Sequence, residues 1–183
     1  AIIKRERIVS LPAREACIRL ADEAESAAQP APHMDPPRLI GNTGELGTFV
    51  LPLRVPVAPG QQSLEYDDFT FEAASWTLTA HEGRPGHELQ FTAMVERGVS
   101  LARSMFAFNS VNVEGWALYA EAEMVPYEPV DGQFIALQLR LLRAARAILD
   151  PMLNLGLTDR ASAQRVLEDE VGVPLLMRRR HGV

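Results

Sequence analysis

Apolar and polar positions follow two rhythms along these 183 residues. In the first, short apolar stretches are interrupted by breakers, and eight of the thirteen prolines fall before residue 60. Within this part EACIRLA (15–21) and TFVLPLRV (48–55) carry the β-branched and aromatic content of strands. Pro52 would confine the second to an edge or a bulge, because proline has no N–H to give to a ladder. Between them AAQPAPHMDPP reads as a loop whose prolines suppress helix. IGNTGELG (40–47) reads as turn, with glycine and asparagine supplying positive φ.

From about residue 65 the period lengthens. Phe71, Ala74, Ser75, Leu78 and His81 follow helical i, i+3, i+4, i+7 spacing, which carries His81 on the inner face. A second helix is expected to restart after Pro85-Gly86 and run to Gly98, a candidate C-cap. NSVNVEGWALYAEAEM (109–124) predicts a third, strongly apolar helix, and VPYEPVDG breaks it. From Gln133 to Asp150 the helix is amphipathic, with Phe134, Leu137, Leu141, Ala145 and Ile148 along one stripe and Pro151 disturbing its end. A last helix is expected from Thr158, its candidate N-cap, to Gly172. The pattern therefore predicts an α+β fold, predominantly helical. A Pro-rich strand and loop segment (1–64) would pack on a helical region (65–183), the two forming one domain.

Composition narrows the classes. A net charge of −6 argues against a nucleic-acid surface, and the basic cluster RRRH at 178–181 is a tail. No apolar run approaches the roughly 20 residues a membrane span needs. The opening AIIKRER has no apolar core of a signal peptide. The compartment is thus expected to be cytoplasmic, or periplasmic or lipid-anchored if a longer parent is exported. The single cysteine, Cys17, excludes an internal disulfide and is expected as a buried structural thiol.

The densest chemistry lies in HEGRPGH (81–87). In H-E-x-x-H the histidines are four apart and share one helix face, so they can share one zinc ion. His81 and His87 are six apart, roughly 120° around an unbroken helix at about 100° per residue. Pro85 removes a donor and Gly86 permits unusual dihedrals, so a kink there would bring His87 back toward His81. Glu114 is the best third ligand, because an unpaired carboxylate in an apolar helix is costly. Glu121, seven residues on and on the same face, would orient a histidine from outside the ligand set. Glu82 would serve as general base on a metal-activated water. On spacing alone a solvated or hydrogen-bonded core histidine fits equally well. His33 and His181 fall in a Pro-rich loop and a basic tail and are not expected at the site.

HEGRPGHELQ (81–90) followed by NSVNVEGWALYAE (109–121) resembles the paired signature of a large bacterial family, domain of unknown function 885, regarded as related to zinc-dependent peptidases. LLRAARAILDPMLNLGLT (141–158) resembles that family's Arg-x-x-Arg helix. The resemblance implies a zincin-like, mainly helical core. One Zn2+ would be held by His81, His87 and Glu114, with Glu82 as base and Gln90 among the outer partners. Tyr119 also matches and would donate to a developing oxyanion. Arg143 and Arg146 match the arginine pair, and one of them would receive a substrate carboxylate or an oxyanion. An Arg146–Asp150 pair on a solvated face is the plainer reading of the same residues. Trp116 and Leu118 are expected in the core. Asn154 stands where family members carry a histidine. Those members are also longer, which implies a fragment or a shortened relative.

The expected activity is hydrolysis by a metal-activated water, most simply of a small peptide or amide. Two further readings stay open: a non-catalytic relative with a structural or absent metal site, and a non-haem iron enzyme, since His-His-Glu also binds iron.

Overall fold

A computed structural model describes residues 1–52, 68–106 and 108–172, and for residues 68–71 the backbone alone. The boundary expected at 64/65, His181 and the basic tail lie outside the described residues. The chain divides into two compact units, Ala1–Gly132 and Gln133–Val183.

In the first unit a short helix α1 (Ile2–Glu6) precedes strand β1 (Cys17–Leu20), helix α2 (Glu23–Ala28) and strands β2 (His33–Asp35) and β3 (Thr48–Leu51). Asp22 and Glu25 form a reciprocal capping box that starts α2. The sheet order is β1-β3-β2, with β1 parallel and β2 antiparallel to β3. The strand carrying TFVL is thus central, not an edge, and its Phe49 and Val50 are buried. Pro52 ends it instead of bulging it, because the ladder stops one residue earlier. The expected loop around His33 holds β2, since an outer strand in a three-residue ladder tolerates flanking prolines. Cys17 opens β1 and is half-buried, not enclosed as expected, because β1 is itself an edge.

Among the described residues of this unit the α-helices α3 (Asp68–Glu82), α4 (His87–Arg97), α5 (Leu101–Phe106) and α6 (Ser110–Met124) follow. Gly98, at φ 75°, ends α4. The Asn109 side chain accepts from the Val111 and Asn112 amides and starts α6. Helices α3 and α6 pack on each other, burying Ala73, Thr77 and Ala80 from one and Ala117, Ala120 and Met124 from the other. Small side chains let two backbones approach closely, which brings polar groups at the ends of these stripes within reach of each other. Leu118, expected in this core, is instead 36% exposed on the outer side of α6.

Helix α7 (Val130–Asn154) runs into the second unit, where α8 (Arg160–Arg165) and a π-helical turn (Val166–Glu170) follow. Asp159, one residue past the expected Thr158, caps α8 by accepting from the Ser162 amide at 2.7 Å. Leu142, Ala145 and Leu149 pack with Ala163, Leu167 and Val171. The expected stripe is therefore not the covered one: Phe134, Leu137, Leu141 and Ile148 are exposed, and only Ala145 belongs to both faces. α7 also continues past its expected end at Asp150, through Pro151 to Asn154.

Candidate metal centre

The last turn of α3 carries His81 and Glu82. The Gly83 amide donates to the Thr79 carbonyl at 3.0 Å, and the chain then turns through Arg84, Pro85 and Gly86 before α4 begins at His87. Gly86 lies flush against the end of α3, where a Cβ would overlap the carbonyl oxygens of Ala80 and His81. Only glycine fits that approach. Arg84 braces the same turn from the side. Its guanidinium pairs with the Glu88 carboxylate and donates to the Arg14 carbonyl at 2.6 Å. Glu88 is 1% exposed and also accepts from Thr92 Oγ1 at 2.8 Å, so its charge is compensated inside the fold. From α6 the Trp116 indole N–H donates to the carbonyls of Pro85 and Gly86, at 3.0 and 3.1 Å.

These constraints undo the separation an unbroken helix would impose. The imidazoles of His81 and His87 meet edge to face, with centroids 4.8 Å apart and an interplanar angle of 89°. Both Nε2 atoms turn toward Glu114: His81 Nε2 lies 3.3 Å from its Oε2, and His87 Nε2 lies 3.8 Å from its Oε1. One ligand atom from each of these three residues falls within 4.8 Å of the others. Zinc takes nitrogen and oxygen at roughly 2.0–2.2 Å, which in a tetrahedron separates neighbouring donors by about 3.3 Å. The set fits a single ion. The Glu114 side chain is 59% exposed, so one side of the cluster opens to solvent, as a site that admits water requires.

Glu121 is buried, and its carboxylate lies 2.6 Å from His81 Nδ1; an Nδ1–H donated to it would leave the neutral ring's lone pair on Nε2, the nitrogen that faces Glu114. Burial opposes the charged form of His81, but the hydrogen bond to Glu121 and the charges of Glu82, Glu121 and Glu114 outweigh it and raise its pKa. Burial and the neighbouring His81 lower the pKa of His87, despite an opposing pull from Glu114 and Gln90. His87 Nδ1 and Gln90 Oε1 are buried, and neither has a well-formed hydrogen bond among the described residues. Glu82 sits 3.9 Å from His81 Nε2. Burial, reinforced by Glu114, raises its pKa against the opposing charge of His81 and a hydrogen bond from the Met34 backbone. A carboxylate held in this way is a better proton acceptor than one in water.

Tyr119 is 56% exposed, its ring 5.9 Å from that of Trp116. Arg143, Arg146 and Asp150 belong to the second unit. There Asp150 takes its contacts from Asn154, through its carbonyl at 2.9 Å and its carboxylate at 3.3 Å, instead of from Arg146. Asn154 thus closes the last turn of α7. Sequence reasoning missed four participants. Arg84 and Glu88 were visible as an i, i+4 pair. Trp116 acts on backbone carbonyls, which no side-chain pattern announces. His33, set aside as loop, lies on β2 and acts electrostatically on Glu82.

Residues 1–177 match the family model described as "Bacterial protein of unknown function (DUF885)". No curated protein matches the chain. Among solved structures, similarity is found to the putative lipoprotein from Colwellia psychrerythraea. The TM-score is 0.66 at 20% identity, covering 95% of this chain and 32% of that one. The present chain thus spans about a third of the length of that protein, and the likeness is one of fold. With nearly its whole length matched, the chain belongs to the DUF885 family.

Proposed function

We propose that this DUF885 chain is a metal-dependent hydrolase, with zinc the simplest ion and a short peptide or amide the simplest substrate. The carrying observation is the convergence of His81, His87 and Glu114 beside a half-buried Glu82 whose pKa is raised. A zinc ion bound there supplies Lewis acidity and lowers the pKa of water toward about 7. Glu121 holds His81 in the tautomer that offers Nε2 outward. Glu82 accepts a proton from the attacking water and returns it to the leaving amine. The exposed Tyr119 is the donor we assign to the oxyanion, and Arg143 and Arg146 are the groups we assign to a substrate carboxylate. A zincin-like core is the corresponding reading of the fold. The likeness to a putative lipoprotein supports an exported location for this protein, which membrane fractionation of cells expressing it checks.

Glu82→Gln is the decisive variant. It keeps the shape of the side chain but removes the base, and it is expected to lower peptide hydrolysis by about 10²–10⁴-fold with bound zinc unchanged. Full activity in that variant would refute the assignment of Glu82. Iron retained after anaerobic purification, with turnover that consumes oxygen, would replace the hydrolase reading with an oxygenase.

A further inference from the structure

We propose that Trp116 is a positioning residue that fixes the distance between His87 and Glu114; the proposal rests on the metal-centre reading above. The three ligands occupy three separate helices, with His81 at the end of α3. Glu114 lies on α6, whereas His87 opens α4 directly after the turn at Pro85-Gly86. Their facing atoms are 3.8 Å apart, yet they are 27 positions apart in sequence. The Trp116 indole bridges the gap. It stands two residues from Glu114 on the same helix, and its N–H reaches both carbonyls of the residue pair that immediately precedes His87.

The bridge does what neither helix does alone. A helix N-terminus leaves its first amides unpaired, so the start of α4 is held chiefly by what surrounds it. Gly86 has no side chain with which to anchor itself, and its Cβ position is filled by the end of α3. Pro85 has no N–H to offer. Carbonyl oxygens are therefore the handles this turn presents, and an indole N–H, a donor with no acceptor role, suits them. His87 Nδ1 has no charged partner equivalent to Glu121 on His81; the neutral Gln90 side chain acts on this ring, but without well-formed hydrogen-bond geometry. Its placement depends on the backbone, and Trp116 holds that backbone to the helix bearing Glu114.

The test replaces the indole N–H without changing its shape, by installing 3-benzothienylalanine at position 116, with Trp116→Phe as the simpler companion. Zinc affinity is measured by competition with a chromophoric chelator, the Co2+ spectrum is recorded, and amide exchange is followed over residues 85–90. The expected result is at least tenfold weaker zinc binding, an altered Co2+ absorption band and at least tenfold faster exchange, with unchanged far-UV circular dichroism. Zinc affinity within twofold of the unmodified chain, with the same cobalt band, would overturn the proposal. If the unmodified chain takes up no metal, the metal-centre reading falls separately, and exchange alone decides on Trp116: faster exchange upholds its positioning role and unchanged exchange removes it. If Trp116→Phe fails to fold, the benzothienyl chain decides between these outcomes, because it preserves the packed bicycle.

Discussion

Glu121 and His81 show how one buried carboxylate decides what an imidazole can do. With Nδ1–H engaged at 2.6 Å, the ring cannot rotate away or present the wrong nitrogen. Glu121→Gln keeps a hydrogen bond but loses the charge, and is expected to weaken zinc binding by about 10–100-fold, measured by chelator competition. An unchanged affinity would mean that His81 is held by packing. Protons compete for the same nitrogens, and the raised pKa of His81 means that this residue stays protonated to a higher pH than a free histidine. At this scale much was legible in the sequence. Spacing and the cost of an unpaired carboxylate in an apolar helix single out His81, Glu82, His87, Glu114 and Glu121 but leave an even choice with a core histidine; the family resemblance tips it, and the fold brings His81, His87 and Glu114 together. The backbone partner of Trp116 was not legible, because a carbonyl has no sequence identity.

The connection between α3 and α4 is the element on which the centre turns. Gly86 packs against the end of one helix, Arg84 ties the turn to Glu88, and Trp116 reaches it from α6. Arg84→Ala would strand the Glu88 carboxylate, which is almost fully enclosed. We expect a loss of about 3–5 kcal/mol in urea unfolding, largely recovered when Glu88→Gln is added. A loss below about 1 kcal/mol would show that Thr92 and the helix start suffice. Elements were less legible than residues. Periodicity identified α7 but assigned Phe134, Leu137, Leu141 and Ile148 to a covered face, whereas Ile135, Leu142 and Leu149 are buried. An apolar stripe announces a helix without saying which of two adjacent stripes a neighbour will cover. Likewise Pro52 suggests an edge strand or a bulge, whereas the physics of a missing N–H is met equally by ending a central strand.

Across the molecule, the first unit carries the whole candidate ligand set, drawn from α3, α4 and α6. A metal bound to the folded chain alone must stabilise it by mass action. At free zinc 100 times its Kd the gain is about 2.7 kcal/mol. For a chain of this size that corresponds to a Tm roughly 5–10 °C higher than in excess chelator. Identical melting curves with and without chelator would speak against a resident ion. Crystals of the purified chain measured at the zinc absorption edge bear most directly on the centre itself. One anomalous peak is expected, within about 2.0–2.2 Å of His81 Nε2, His87 Nε2 and a Glu114 oxygen. A zinc-replete crystal with no peak there, or with its peak on other residues, would contradict a metal centre built from these three side chains.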